Sequence, residues 1–254
     1  MKTERSALPC AHFADQSASE GLRLCGPLDR DRPDGHRLNG HLLGGKARST
    51  PCFTTGSVIT TQRGPCFVEK LAPGDLVITR DNGLQPVVWV GQTQIFLHDF
   101  QSGPHLLPIF IRKGSLGRDL PERDMMVSPN HRVLVTSART SLRFHEREVL
   151  VAAKHLTSQG VHTVQSRGTT YVHFMCERHE IVLADGIWTE TFQPEDQSLK
   201  GLGNAQRLEI LDLFPDLRRA GGVAAYTAAR PVHTTANAEG DRPRQGVYTA
   251  QKTG

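Results

Sequence analysis

Residues 52–61 read Cys52-Phe53-Thr54-Thr55-Gly56-Ser57-Val58-Ile59-Thr60-Thr61, and residues 68–77 read Val68-Glu69-Lys70-Leu71-Ala72-Pro73-Gly74-Asp75-Leu76-Val77. Within and after these stretches the pattern is that of short strands. Residues 57–61 and 66–71 flank Gln62-Arg63-Gly64 and predict a hairpin. A strand over 75–79 runs into Asp81-Asn82-Gly83, whose Asn-Gly pair accepts positive φ at little cost. Residues 85–96 predict one long strand with Gly91 as a bulge or bend. Further strands are predicted over 108–113, 131–136, 148–151, 160–164, 170–174, 180–184 and 187–191. Apolar residues at helical spacing predict short helices over 152–157 and 205–213. Many short strands between turn signals predict an all-β fold, barrel-like or sandwich-like.

Working outward, the composition changes twice. Residues 1–50 are rich in Arg, Asp, Gly and Ser without apolar periodicity, and predict a disordered leader. Arg30, Arg32 and Lys46 there need no role beyond solubility. A β domain is predicted over 51–195, a helical extension over 196–220, and a disordered tail over 221–254.

The chain has 254 residues, 37% hydrophobic and 22% charged, with a formal charge of +4. That length buries a real core. The near-balanced charge lacks the dense basic stripe of nucleic-acid binders, so no nucleic-acid partner is expected. No apolar run is long enough to span a bilayer. The first twenty residues lack the apolar core of a secretory signal. Cytoplasmic residence is the default expectation, with non-classical secretion left open, and a monomer is expected. Five scattered cysteines (Cys10, Cys25, Cys52, Cys66 and Cys176) without a CxxC pair argue against a disulfide framework and for a reducing compartment.

Chemistry concentrates at two places. Cys52 opens the β domain directly after the leader, where its thiol can face the peptide bond joining the two. Val127-Ser128-Pro129-Asn130-His131-Arg132-Val133 places Ser128 and His131 three apart at a strand entry, so that a turn can aim both at one point. A thiolate is the reactive form of cysteine, and an imidazole near neutrality can take or give its proton. Cys66 and Cys176, set in strand patterns, read as small core fillers. His131 has a structural histidine as its plain alternative, and Ser128 a local turn or cap. His173 and His179 are balanced between structural and chemical roles, and Thr55 is a weak candidate. His98 and His105 lie in a Gly/Pro-rich connection and read as solvated. His173, Cys176 and His179 form H-x-x-C-x-x-H, but residues three apart on a strand face opposite ways and a fourth ligand is lacking. No metal and no cofactor are expected.

The segment CFTTGSVITT…VEKLAPGDLVITRDNG resembles the opening block of the Hint family, the self-cleaving domain of hedgehog proteins and inteins. SPNH resembles that family's TxxH block, with Ser128 for threonine and His131 as its histidine. Residues 171–186, YVHFMCERHEIVLADG, are similar to the late block that closes the fold. These arrive in the family's order, and the chain looks most like stand-alone bacterial Hint proteins. The resemblance implies the Hint fold, a compact barrel or horseshoe of short strands over roughly 50–195. It also implies autoprocessing. Cys52 attacks the Pro51 carbonyl, an N-to-S acyl shift makes a thioester, and water or an external thiol or amine releases the N-terminal segment. By the same resemblance His131 protonates the departing nitrogen, Ser128 holds the scissile peptide, and His173 and His179 join the site. His173 stands where inteins often carry an acidic residue. Asn204 and Asn237 are each followed by alanine, so splicing is not expected, and nothing identifies a sterol-binding region. Two other classes compete: a catalytically silent Hint copy serving as an interaction module, and a multiple-turnover cysteine hydrolase. Pro51, whose carbonyl is hindered, and the short, featureless leader count against autoprocessing. The joint presence of Cys52, Ser128 and His131 favours autoprocessing.

Overall fold

The computed structural model describes residues 50–136, 148–156 and 158–233. The predicted leader thus lies almost wholly outside the described residues, as does the tail beyond His233. Fifteen strands and a few short helices make up the described chain. In chain order the strands are β1 (Phe53–Thr54), β2 (Val58–Thr61), β3 (Gly64–Phe67), β4 (Leu76–Thr79), β5 (Gly83–Pro86), β6 (Trp89–Phe96), β7 (Ile109–Ile111) and β8 (Met125–Val127). They continue with β9 (Arg132–Thr136), β10 (Glu148–Ala152), β11 (Val161–Thr163), β12 (Gly168–Met175), β13 (Ile181–Ala184), β14 (Ile187–Glu190) and β15 (Val232–His233). They form two open sheets rather than a closed barrel. One runs β11-β7-β8-β1-β12-β6; the other runs β15-β10-β9-β14-β13-β2-β4-β5, with β3 paired to β2. The main core between them holds Phe53, Ile59, Val127, Phe174 and Val182, together with Cys66 and Cys176.

The predicted strand over 85–96 is two strands in different sheets. Pro86 has no N–H to continue the ladder. The next two residues change partners: the Val87 amide donates to Asp75 O and the Val88 amide to Met175 O. Gly91 is neither bulge nor bend, because β6 and β12 pair without interruption from Trp89↔Met175 to Phe96↔Gly168. A Cβ at Gly91 would lie 2.4 Å from the Trp89 indole, so the glycine makes room for that ring. The second half of the predicted strand over 66–71 is a 3₁₀ turn, Val68–Lys70, and the helix predicted over 152–157 is a single 3₁₀ turn, Ala153–His155.

β13 and β14 meet in a two-residue turn, Asp185-Gly186, with φ of 48° and 83°, the geometry of a tight hairpin. Between β6 and β7 the chain forms α1 (Leu97–Ser102) and a 3₁₀ turn, Pro104–Leu106. After β14 come α2 (Asp196–Gly201), α3 (Asn204–Leu213) and α4 (Gly222–Ala225). Residues 222–233 depart from the unstructured tail their composition suggests: α4 is followed by β15, which pairs in parallel with β10. Ala229 and Val232 pack this strap against Leu134, Leu150 and Ile181. No helix among the described residues is long and apolar enough to cross a membrane.

Candidate functional site

The two blocks read from the sequence meet at the start of β1. Ser128 closes a turn onto β9, with the His131 amide donating to Ser128 O at 3.1 Å. Its backbone and side chain bracket the residue that opens the domain. Ser128 N–H donates to Cys52 O at 2.9 Å, and Cys52 N–H donates to Ser128 Oγ at 2.9 Å. The Ser128 hydroxyl in turn donates to Thr50 O at 2.6 Å. The peptide joining Pro51 to Cys52 is therefore gripped through its N–H and through the carbonyl before it.

His173 reaches the same peptide from β12. Its Nδ1 lies 3.0 Å from Pro51 O, and its Nε2 lies 3.4 Å from Cys52 Sγ. A carbonyl oxygen only accepts, so Nδ1 carries the proton and Nε2 of the neutral ring is free to accept one. The Cys52 thiol also has Thr50 O at 2.9 Å. The ring is held by aromatic neighbours, with Trp89 stacked at 6.5 Å between centroids and Phe192 edge-on at 5.6 Å. Gly91 sits opposite His173 in the β6–β12 register, which is why the indole can lie there.

Cys52 is 3% exposed and belongs to a small apolar cluster with Ile95, Phe100, Leu106, Leu107 and Tyr171. The Tyr171 hydroxyl donates to Leu106 O at 2.6 Å and ties α1 and its 3₁₀ turn down over the thiol. Burial holds the Cys52 thiol well above its ordinary range; the Ser128 contact pulls it down and Glu190 pushes it further up. Burial likewise lowers His173 to about 4, against the opposing pull of Pro51 O. His131 is lowered to about 4 by burial, with Glu190 opposing and Arg132, His173 and His179 adding to the fall. All three groups are thus neutral at rest.

His131 stands one layer behind, its ring 4.4 Å from that of Phe53. Its Nε2 meets Thr189 Oγ1 at 2.5 Å. His179 is engaged elsewhere: Ala229 N–H donates to its Nδ1 at 3.0 Å, and its Nε2 lies 3.2 Å from Glu190 Oε2. Cys176 faces the main core, so the H-x-x-C-x-x-H string does not converge. Among the described residues no cluster of three His, Cys, Asp or Glu side chains is placed to hold a metal ion.

A family model described as a Hint domain matches residues 51–196, more than half of the chain. The chain belongs to the Hint domain family. No curated protein matches the sequence. Solved structures similar to this Hint domain include a bacterial intein-like domain from Clostridium thermocellum, at 13% identity, covering 57% of this chain and 99% of that one with a TM-score of 0.37. The gp41-1 intein is 13% identical over 56% of this chain and 98% of its own, with a TM-score of 0.35. A DnaB intein from Synechocystis sp. PCC 6803 is 11% identical over 56% and 99%, with a TM-score of 0.36.

The sequence left unnamed several groups that this Hint domain places around the Pro51–Cys52 peptide and behind it at His131. Thr50 contributes only its carbonyl, which no side-chain pattern betrays. Thr189 and Glu190 carry one weak signal, a carboxylate closing the strand Ile187–Glu190. Gly91 drew attention for a different reason from the one it serves.

Proposed function

We propose that this Hint domain cleaves its own chain at Pro51–Cys52 in a single turnover. The observation that carries the reading is His173, whose two nitrogens face the nucleophile and the carbonyl oxygen of the same peptide. An amide resists attack because resonance stiffens its C–N bond. The site meets that resistance with a base and an oxyanion donor in one ring. Nε2 takes the thiol proton as Sγ bonds to the Pro51 carbonyl carbon. The imidazolium so formed keeps Nδ1–H on the oxygen as charge develops there. The C–N bond then breaks as the carbonyl re-forms, and the proton that left the thiol reaches the Cys52 nitrogen, held meanwhile by Ser128 Oγ, by way of His131, which takes it up and passes it on, so that both imidazoles end neutral. The products are a thioester on Sγ and a free amine. Water, or an external thiol or amine, then releases the N-terminal segment. No splicing follows, since Asn204 and Asn237 precede alanine.

The thiol's deep burial favours a second reading, in which the same fold is catalytically silent and serves as an interaction module. Intact-mass measurement of the full chain separates the two. Incubation with a thiol or hydroxylamine is expected to yield a fragment of residues 52–254 from wild type and none from Cys52→Ala. A single full-length mass in both samples after long incubation supports the silent module. Cleavage that persists in Cys52→Ala overturns the mechanism.

A further inference from the structure

His131 has one ring nitrogen occupied and one bare. Both carry weight, because the residue is 1% exposed and a buried polar atom without a partner costs stability. The occupied atom is Nε2, 2.5 Å from Thr189 Oγ1. A threonine hydroxyl has a single proton, and Thr189 gives it to Arg132 O at 2.7 Å. Towards His131, then, Thr189 can only accept. The Nε2–H tautomer follows. Nδ1 of the neutral ring is left with a bare lone pair, and it is this buried atom that has no hydrogen-bond partner among the described residues.

The parts behind Thr189 are rigid for identifiable reasons. Thr189 is fully buried on β14, paired to Val133 of β9. The carbonyl that takes its proton belongs to Arg132, whose own N–H donates to Glu190 Oε1 at 2.9 Å. Glu190 Oε2 is held by the Arg132 guanidinium at 3.2 Å, and His179 Nε2 lies at the same distance. Burial pushes the Glu190 carboxyl up, but Arg132, His179 and His131 outweigh it and keep the group ionised. A carboxylate so fixed anchors Arg132 through its N–H, and the carbonyl on the other side of the same Cα takes the Thr189 proton.

We propose that Thr189 is the positioning residue of His131, holding its imidazole in the Nε2–H tautomer so that Nδ1 is the atom open to receive and pass on a proton. The assignment rests on the autoprocessing reading for its purpose, although the tautomer itself does not. A threonine that merely filled space on β14 would leave the ring free to carry its proton on either nitrogen. It would also leave the orphaned Nδ1 with a cost and no use.

The test has two readouts in the full chain. Long-range ¹H–¹⁵N spectra of ¹⁵N-histidine protein in a Cys52→Ala background, where the leader stays attached, report which His131 nitrogen is protonated. Wild-type Thr189 is expected to give a pyrrole-like Nε2 and a pyridine-like Nδ1. Thr189→Val removes the acceptor without changing volume much, and is expected to give mixed tautomers. Thr189→Ser keeps the acceptor and is expected to restore one. In chains that retain Cys52, leader release is expected to fall at least tenfold in Thr189→Val and to recover in Thr189→Ser. Protonation of Nδ1 with Thr189 in place overturns the proposal, as does a Thr189→Val chain that keeps the Nε2–H form or releases its leader at the wild-type rate. A chain that never cleaves but shows the Nε2–H form sinks the autoprocessing reading and leaves the tautomer assignment standing. Should Thr189→Val fail to fold, the wild-type and Thr189→Ser spectra still decide the assignment.

Discussion

On the autoprocessing reading, His173 serves two ends of one step, since its Nδ1 lies against Pro51 O and its Nε2 against Cys52 Sγ. Its value depends on being neutral at rest, and burial secures that by lowering its pKa to about 4. His173→Gln keeps an amide N–H but has no basic nitrogen, and is expected to slow leader release by about 10²–10⁴-fold, the usual worth of general acid–base catalysis. The same burial has a consequence for stability. The unfolded chain binds the His173 proton near pH 6.5 and the folded chain only near 4. Its contribution is therefore whole above pH 6.5, falls as pH drops from about 6.5 to about 4, and levels off below. A shift of this size corresponds to about 3 kcal/mol. Asp185, pushed up to about 7 by burial, acts in the opposite sense, so the comparison has to be made against a variant that keeps it. Urea unfolding at pH 7 and at pH 4.5 is expected to show wild type losing more stability on acidification than His173→Gln does. Equal losses in the two chains would contradict the buried neutral imidazole.

At the scale of elements, Trp89 and Gly91 carry the argument. They lie two apart on β6 and so share a face, and the missing Cβ of Gly91 admits the indole that stacks on His173. Gly91→Ala would set a methyl 2.4 Å from that ring, and neither backbone nor core has slack for it. Overpacking of this kind costs roughly 1–3 kcal/mol. The expected signature is a lower urea midpoint together with altered tryptophan emission; an unchanged midpoint would show that the ring moves at no cost. This pair also marks the limit of what the sequence makes legible. Strand alternation around 57–61, 180–184 and 187–191 is visible because period-two patterning is local. So are the blocks that bring Cys52, Ser128 and His131 forward. The change of sheet at Val87 and Val88 depends on partners far along the chain, and Gly91's purpose depends on a ring that folds back over it. The hold on His131 by Thr189 depends on a hydroxyl whose proton is already committed. Such facts exist only after strands have met.

For the whole molecule, the strap formed by α4 and β15 closes the second sheet and reaches toward the site. Arg230 bridges Asp81 at 2.7 Å and Glu148 at 2.9 Å, and Glu148 also receives Arg80. The Tyr226 hydroxyl donates to Cys176 O at 3.0 Å, and Ala229 and Val232 pack on Leu134, Leu150 and Ile181. The Arg230 bridges are partly exposed, and by themselves contribute up to about 1 kcal/mol. The larger share comes from the apolar cover and the backbone bonds of β15, roughly 2–4 kcal/mol together. Deleting residues 222–254 is therefore expected to lower stability by more than Arg230→Ala does, as read by urea unfolding at neutral pH. Equal effects would place the strap's hold in its ion pairs. The deletion also strips His179 of the Ala229 N–H that fixes its Nδ1 as an acceptor. His179 is then free to change tautomer, which would turn a bare Nε2 lone pair toward the Glu190 carboxylate 3.2 Å away. Since Glu190 anchors Arg132 through its N–H and the Arg132 carbonyl takes the Thr189 proton, the loss is expected to slow leader release as well as to destabilise the fold. Arg230→Ala leaves this chain of bonds whole and is expected to release its leader at the wild-type rate. A deletion variant that is destabilised yet cleaves as fast as wild type would confine the strap to a structural part.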